Sequence, residues 1–431
     1  MGSHLSSNKP LPRHIEQHGI SIERISKNAI SVVEGLRARG YDSYLVGGCV
    51  RDLSLGLEPK DFDVATNATP EEVSDIFPKT RLIGRRFRIT HVRNRGETIE
   101  VSTFRRNIDL DDLSDVELDH ESKNGIIVRD NVYGSIDEDV LRRDFTINAL
   151  YYDPDENVVL DFVDGFEDIK RRKIKTIGEP EKRFREDPVR ILRAIRFAAK
   201  LDFQFDLETE GALTPLSEFL TAIPPARLLD EFTKLFMHGS AAASFELLCR
   251  FDLAEILFPL PLQSLPLVSS ALKNTDRRIL EGKPVTPAFL LAALLWEEYQ
   301  RKCDVTATGG DPHDGQYQAA HAVINEQQHT IAIPKRFAMF IKEVWQLQPR
   351  LEKRSPRSLH RLLSHRRFRA GYDFLLLRAN NGNADVEVAN WWTEIQDLDP
   401  DQKMAQIRKL SPKRRRRRKP KINGDARAQQ Q

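Results

Sequence analysis

From Ser26 onward the apolar residues Ala29, Val32, Val33 and Leu36 recur at three- and four-residue spacing. That period predicts an amphipathic helix capped by Ser26 and ended at Gly40. An apolar run at Tyr44–Val46 predicts a strand that runs into Gly47-Gly48, with a second helix near Val50–Leu55. Short alternations predict strands around Phe62–Ala65, Ile89–Arg93 and Thr98–Phe104, and the Thr-Pro-Glu-Glu stretch at 69–72 marks a helix start. Residues 41–160 thus read as a small mixed α/β head. From about residue 181 the period becomes helical, over Phe184–Leu201, Ala226–Phe236, Phe245–Leu253, Pro287–Gln300, Lys335–Leu347 and Tyr372–Arg378. Residues 301–316, with Gly309, Gly310, Pro312 and Gly315, read as a loop, and no internal repeat is visible.

The 431 residues, 40% hydrophobic and 30% charged, suit a soluble chain of two to four domains. The longest apolar stretch, near Ala288–Trp296, is well short of the ~18 residues of a membrane span, so no integral membrane insertion is expected. Nothing at the start reads as a signal peptide, and the opening MGSH is set aside as extraneous. Cys49, Cys249 and Cys303 lie far apart with no CxxC pair, which argues against a disulfide framework or zinc site and for a reducing, cytoplasmic location. The formal charge of +2 is uneven. Residues 413–421, KRRRRRKPK, hold eight basic groups, which leaves the remainder at −6. Residues 109–121 carry seven acidic groups and read as a solvated or disordered loop.

Candidate chemistry centres on Lys60-Asp61-Phe62-Asp63-Val64. On a strand, residues two apart share a face, so Asp61 and Asp63 would project paired carboxylates. Such like charges are favourable only around a cation, and oxygen ligands suit Mg²⁺. Upstream, Leu45-Val46-Gly47-Gly48-Cys49-Val50-Arg51-Asp52 reads as strand, glycine turn and helix start. Glycines there let a phosphate approach backbone N–H groups, and Arg51 can neutralise its charge. Asp187, Arg190 and Arg193 have the i, i+3, i+6 spacing of one helix face, while Ile191, Ile195 and Ala198 face inward. A carboxylate and guanidinium forks can together read a base edge without a template strand. Cys49 has no neighbouring base, and a nucleophile role is not expected. His313-Asp314 lacks partner histidines, and the Trp391-Trp392 pair is expected in a helical core.

LVGGCVRD at 45–52 followed by KDFDVAT at 60–66 resembles the nucleotidyltransferase family of bacterial CCA-adding enzymes and poly(A) polymerases. RRDFTINAL at 142–150 and EDPVRILRAIRF at 186–197 agree with the same branch. The resemblance implies an α+β fold, with a small mixed-sheet nucleotidyltransferase head followed by an all-α neck and body. It implies catalytic Asp61, Asp63 and Asp144, the last as third acid or as support for the site, with Mg²⁺, or alternatively Mn²⁺, on Asp61 and Asp63. Gly47, Gly48, Arg51 and Arg143 would hold the triphosphate, and Asp187, Arg190 and Arg193 the incoming base. Glu100, on a strand beside the pair, competes with Asp144 as third carboxylate. The reaction implied is in-line phosphoryl transfer to an RNA 3′-hydroxyl.

Within the family, the basic segment Leu82–Val92, with Arg85, Arg86 and Arg88, resembles the polymerase branch, which uses ATP on many RNA ends. So do Ile223–Arg227, Leu272–Asp276 and the basic tail. CCA addition to tRNA with CTP and ATP, and a non-catalytic RNA-binding protein on the same fold, are the other readings. The organisation expected is an N-terminal segment and helix at 1–40, the catalytic head at 41–160 and a neck for base and RNA recognition at 161–260. A helical body at 261–409 and a disordered basic tail at 410–431 follow. Arg81, Arg85, Arg86, Arg183 and Arg185 are expected to form a local basic groove, and the tail to bind RNA phosphates without sequence preference. The resemblance further implies a monomer, with an RNA chaperone or an RNA degradation complex as partner.

Overall fold

The computed structural model describes residues 11–84, 88–106, 120–123, 126–130, 132–258, 265–306, 312–356 and 358–409, and in it the alternating segments of the head join one mixed sheet. Its strands are β1 (Arg13–Ile15), β2 (Ser43–Val46), β3 (Asp63–Thr66), β4 (Thr80–Ile83), β5 (Ile89–Asn94) and β6 (Glu97–Thr103), then β9 (Leu150–Asp153) and β10 (Val158–Asp161). Between them β7 (His120–Lys123) and β8 (Ile126–Asp130) form a separate antiparallel hairpin. The order across the sheet is β1-β10-β9-β2-β3-β6-β5-β4. Only β3 and β6 run parallel, with Asp63 in register with Glu100. In β6 every second residue, Ile99, Val101 and Thr103, is buried, which leaves Glu100 on the other face. Farther on, β11 (Lys173–Ile174) pairs in parallel with β12 (Gln204–Phe205).

The helices of the first part are α1 (Lys27–Arg37), α2 (Gly48–Ser54), α3 (Pro70–Ile76), α4 (Ile136–Arg142), α5 (Gly165–Lys170), α6 (Pro180–Glu186), α7 (Val189–Leu201), α8 (Leu207–Leu213), α9 (Pro225–Phe236), α10 (Ala241–Arg250) and α11 (Ala254–Leu257). There follow α12 (Leu265–Leu280), α13 (Pro287–Leu294), α14 (Trp296–Thr306), α15 (Pro312–Gln327), α16 (Lys335–Lys353), α17 (Leu359–Leu363), α18 (Phe368–Ala379), α19 (Val386–Asp397) and α20 (Pro400–Lys409). The described residues divide between two compact units, one within Met1–Leu262, Leu272–Pro287 and Ile324–Ile333, the other within Gln263–Ala271, Ala288–Val323 and Pro334–Gln431. In the second unit Trp392 is fully buried and donates to the Leu351 carbonyl at 2.9 Å, among Leu347, Phe368, Leu375 and Ile395. The tryptophan pair therefore belongs to a core. Among the described residues no helix is long and apolar enough to cross a membrane.

Local chemistry explains most of these elements. Ser26 Oγ accepts from the Asn28 and Ala29 N–H groups, a cap worth ~1 kcal/mol, and Ala29, Val32, Val33 and Leu36 are buried as expected. Thr69 and Glu72 close a capping box at α3. The helix expected over Phe184–Leu201 is broken. α6 ends at Glu186 and α7 starts at Val189, with Asp187 extended at φ −148°, ψ 89°. Pro188 causes the break, because it has no N–H and excludes the helical conformation at the residue before it. Asp187 is therefore not on the face that carries Arg190 and Arg193. The loop expected at 301–316 is also corrected. α14 continues to Thr306, α15 starts at Pro312 with Asp314 in its first turn, and Gly309 and Gly310 lie outside the described residues. Of the acidic stretch, 109–119 lies outside the described residues, whereas His120 and Glu121 stand in β7. Arg85, Arg86, Phe87 and the basic tail are likewise outside them.

The turn between β10 and α5 carries a strict packing constraint. Asp161, only 2% exposed, accepts from the N–H groups of Val163, Gly165 and Phe166. A Cβ at Gly165 would lie 2.1 Å from the Thr146 carbonyl oxygen. Gly165→Ala is therefore expected to destabilise the protein by roughly 1–3 kcal/mol, read as a lowered Tm. An unchanged Tm would contradict this packing.

Candidate active site

The β2–β3 ladder pairs Ser43–Leu45 with Val64–Thr66 and ends where β2 turns away at Gly47. Asp63 opens β3, and Asp61 lies before the strand, exposed. The expectation of both carboxylates on one strand is thus corrected, since β2 offers no ladder partner that far. Both nevertheless line one cleft of about 920 Å³. Burial, the charge of Glu100 and that of Asp61 push the Asp63 carboxyl up to about 7, against the opposing pull of Arg143. Neither Asp61 nor Asp63 is ion-paired among the described residues. Among those residues no cluster of three or more His, Cys, Asp or Glu is assembled for a metal. Two unneutralised carboxylates at a cleft fit a cation that completes its shell with water and phosphate oxygens, as Mg²⁺ does. Cys49, behind them, is buried, with its thiol pushed up to about 12 by burial and Asp63, which excludes a thiolate nucleophile.

Gly47 takes φ 76°, ψ −126°, a conformation open to glycine only, and its N–H donates to the Leu150 carbonyl. A Cβ on Gly47 would meet Arg143 Nη1 at 3.5 Å, and one on Gly48 would meet Arg51 Nη2 at 3.7 Å. The turn thus brings backbone beside two guanidiniums. Arg51 is not loose. Its Nε and Nη2 donate to Asp52 Oδ1 at 2.8 and 2.6 Å, its Nη1 donates to Asn148 Oδ1 at 2.6 Å, and it lies over the Phe197 ring. Lys200 holds the other Asp52 oxygen at 3.3 Å. Arg143 donates to Asp139 Oδ2 and to Tyr151 Oη, and Tyr151 Oη donates to Asp139 Oδ2 at 2.6 Å. Both arginines are rigid wall groups.

Asp144 is held by the protein itself. It follows α4, 8% exposed; its Oδ1 accepts from Phe145 N at 2.8 Å and Asn148 Nδ2 at 3.1 Å, and its Oδ2 accepts from Arg193 Nε at 2.6 Å and Nη2 at 2.5 Å. Burial alone would raise its pKa, but Arg193 and these donors hold it well below the ordinary carboxylate range. Both oxygens are occupied, so in this structure Asp144 supports the site by positioning Arg193. Glu100 has the alternative place, opposite Asp63 and 3.2 Å from His91 Nε2.

The three expected base-contacting residues also have protein partners. Asp187 Oδ2 accepts from Arg227 of α9 at 2.7 Å, and Arg190 Nη1 donates to the Arg183 carbonyl and Glu186 Oε2. The ten residues of the expected catalytic and nucleotide-binding set, Gly47, Gly48, Arg51, Asp61, Asp63, Arg143, Asp144, Asp187, Arg190 and Arg193, line the same cleft, whereas Glu100, the other candidate acid, is not among its lining residues. Missed were Lys60, Arg142, Asn148, Arg196, Arg227, Glu231 and Lys234, which line it too. A signal existed: Arg196 extends the three-residue arginine spacing of α7, and Arg227, Glu231 and Lys234 fall at i, i+4, i+7 on α9. Burial and the surrounding guanidiniums push Arg142 down to about 9 and Arg196 to about 10. Of the expected basic groove, Arg183 is instead 5% exposed, donating to Glu186 and to the Arg142 and Arg143 carbonyls, while Arg185 pairs with Glu181.

Three families match this chain. The Poly A polymerase head domain matches residues 43–175, the probable RNA and SrmB-binding site of polymerase A residues 202–263, and the polymerase A arginine-rich C-terminus residues 308–423. The chain is 43% identical to poly(A) polymerase I of Escherichia coli O157:H7, over 95% of this chain and 91% of that protein. It is 40% identical to the Haemophilus influenzae poly(A) polymerase I over 92% and 91% of the two chains. Similarity to the CCA-adding enzyme of Geobacillus stearothermophilus, 39%, spans 54% of each chain. Among solved structures, the Bacillus stearothermophilus CCA-adding enzyme in complex with CTP superposes with a TM-score of 0.55 at 27% identity, covering 88% of this chain and 80% of that one.

Removing the Asp144 carboxylate would strand Arg193 in the wall. Asp144→Ala is expected to cost about 3 kcal/mol, the lower end for a broken buried pair because Arg193 is partly exposed. The sign with pH follows from the lowered pKa. The pair's contribution is fully present above the ordinary carboxylate value of about 4 and is lost only as pH falls toward the depressed folded value. Unfolding of wild type and variant compared between pH 7 and pH 3 checks both; equal stabilities at pH 7 would remove the pair from its structural role.

Proposed function

The chain belongs to the poly(A) polymerase family, and from this premise we infer that its cleft adds AMP from ATP to RNA 3′ ends without a template. It is a polynucleotide adenylyltransferase, and pyrophosphate is the second product. The observation that carries the site reading is the convergence, in one cleft, of two carboxylates without a protein cation and a wall of mutually repelling arginines. That pairing of charges suits a metal-bound triphosphate. The polymerase reading is preferred to CCA addition because likeness to poly(A) polymerase I runs over 95% of the chain, against 54% for the CCA-adding enzyme.

In the proposed reaction the RNA 3′-oxygen attacks the α-phosphorus of ATP in line, and the bond to the β-phosphate oxygen breaks. Asp61 and Asp63 would hold Mg²⁺, or Mn²⁺ in its place, which supplies Lewis-acid polarisation of the hydroxyl and the phosphoryl oxygens. Gly47 and Gly48 leave room for a phosphate to approach the backbone, and Arg51, Arg142 and Arg143 set a positive field around it. Arg193, aimed by Asp144, joins Asp187 and Arg190 in the wall against which the base lies. Because these groups are already locked by Asp52, Asn148, Asp139 and Arg227, little reorganisation is needed when charge moves.

The domain reading follows the same premise: a catalytic head at 41–160, a neck at 161–260 that recognises base and RNA, a body at 261–409, and an RNA-binding tail at 410–431. We place the enzyme in the cytoplasm as a monomer acting in mRNA polyadenylation, with an RNA chaperone or RNA degradation complex as its partner.

Purified protein incubated with labelled RNA, Mg²⁺ and each nucleoside triphosphate separately tests the assignment. Long tails with ATP alone are expected; addition that stops after C, C and A would favour the CCA reading, and no extension a binding protein. Asp61→Ala and Asp63→Ala are each expected to lose several orders of magnitude in AMP addition while RNA affinity persists. Retained activity in either variant would displace the carboxylate pair from the chemistry.

A further inference from the structure

We propose that the open face of β4, β5 and β6 is the track on which the 3′ end of the RNA primer lies, with Lys79, Arg81 and Arg93 on its phosphodiesters and Glu100 at its terminal ribose. The inference rests on the reading that the cleft transfers AMP, and adds where the second substrate enters. Asp63 opens β3, which is flanked on one side by β2 and on the other by β6. The residues read as triphosphate-binding, Gly47, Gly48 and Arg51, follow directly on β2, and Arg143 stands beside Gly47. In-line displacement puts the attacking and leaving oxygens on opposite sides of the phosphorus. With the triphosphate on the β2 side of Asp63, the RNA hydroxyl comes from the β6 side. There Glu100 is in register with Asp63, its side chain 46% exposed, and it is not among the residues lining the nucleotide cleft.

Past Glu100 the register continues across the sheet: Glu100 stands opposite His91 of β5, and His91 opposite Arg81 of β4. Asp63, Glu100, His91 and Arg81 thus form one cross-strand row, about 14 Å from end to end at the usual strand spacing. Lys79 and Arg93 lie two residues along on the same face, with the Arg93 N–H donating to the Lys79 carbonyl at 2.9 Å. The other face is the packed one, where Thr90 and Val92 of β5 and Ile99 and Val101 of β6 are buried. Lys79, Arg81 and Arg93 are exposed, and none has a carboxylate partner among the described residues, unlike Arg88, which pairs with Glu71. Unmatched cations on an open surface suit a phosphodiester backbone and hold it without sequence preference. His91 Nε2, 3.2 Å from Glu100 Oε1, keeps the carboxylate in the row. A carboxylate accepts from ribose hydroxyls and repels a phosphate, so the row suits an RNA end that carries a free 3′-hydroxyl.

The test measures kcat, the KM for RNA and the KM for ATP of the full chain, with a single-stranded primer of about six nucleotides. In the double variant Arg81→Glu, Arg93→Glu the KM for RNA is expected to rise roughly tenfold or more, because like charges then face the backbone, while the KM for ATP stays unchanged. In the neutral double variant Arg81→Gln, Arg93→Gln the slope of log RNA affinity against log salt is expected to flatten by about 0.7 for each side chain replaced. That slope gives the deciding result if the glutamate variant does not fold. An unmoved KM for RNA, a rise matched by the KM for ATP, or a loss confined to kcat overturns the track while leaving the polymerase reading intact. Wild type that does not extend RNA with ATP overturns both.

Discussion

The ion pair between Asp144 and Arg193 couples the two halves of the cleft. Asp144 belongs to the turn that leads from α4 back into the sheet at β9, and Arg193 stands in the middle of α7. Asn148, in the same turn, donates to Asp144 Oδ1 and accepts from Arg51, so one short segment orients a guanidinium from α2 and another from α7. Without the carboxylate, Arg193 would add an uncompensated cation to the helix face that already carries Arg196 and the Glu186-paired Arg190. The pair therefore does more than hold a helix to a sheet: it sets how much positive charge the cleft shows.

The remaining charge is kept in a state the protein alone does not relieve. Burial and like charges raise the Asp63 carboxyl, and burial with neighbouring guanidiniums lowers Arg142 and Arg196. The negative group and the positive groups lie in the same cleft yet are not paired across it; each cation either has its own carboxylate, as Arg143 has Asp139, or has none, as Arg196. A cleft with separated charges of both signs stabilises a ligand that carries both, such as a cation-bound triphosphate. Several strongly shifted groups thus gather in this one cleft.

Much of this was legible in the chain. The capped α1, the glycine turn, the Asp61/Asp63 pair and the arginines of α7 all come from local patterns, and the ten residues of the expected catalytic and nucleotide-binding set share one cleft, though Glu100 does not line it. What local pattern could not show is which of them have partners elsewhere. Asp144 looks like an acid in sequence, but its partner is 49 positions away, and Asp187 finds Arg227 40 positions away. The break at Pro188 was readable from the proline itself, yet the apolar period of Ile191, Ile195 and Ala198 outweighed it. Asp61 lies outside the strand because neither ladder of β3, with β2 or with β6, reaches back past Asp63, a limit that hydropathy does not encode.

Selection of one nucleotide without a template needs a surface that replaces the edge of a pairing base. Two helices in contact, α7 and α9, can do this because their facing rows project side chains at fixed spacing into a cleft that the sheet closes. The row on α7 is cationic, whereas α9 mixes Arg227, Glu231 and Lys234. A wholly cationic pair of rows would hold any triphosphate equally and would discriminate little. Selectivity requires an acceptor among the donors, and it requires that acceptor to be desolvated, since water would otherwise pair with it whichever base was bound. On α9 Glu231 stands among these cations, 4% exposed, with Lys234 on one of its oxygens.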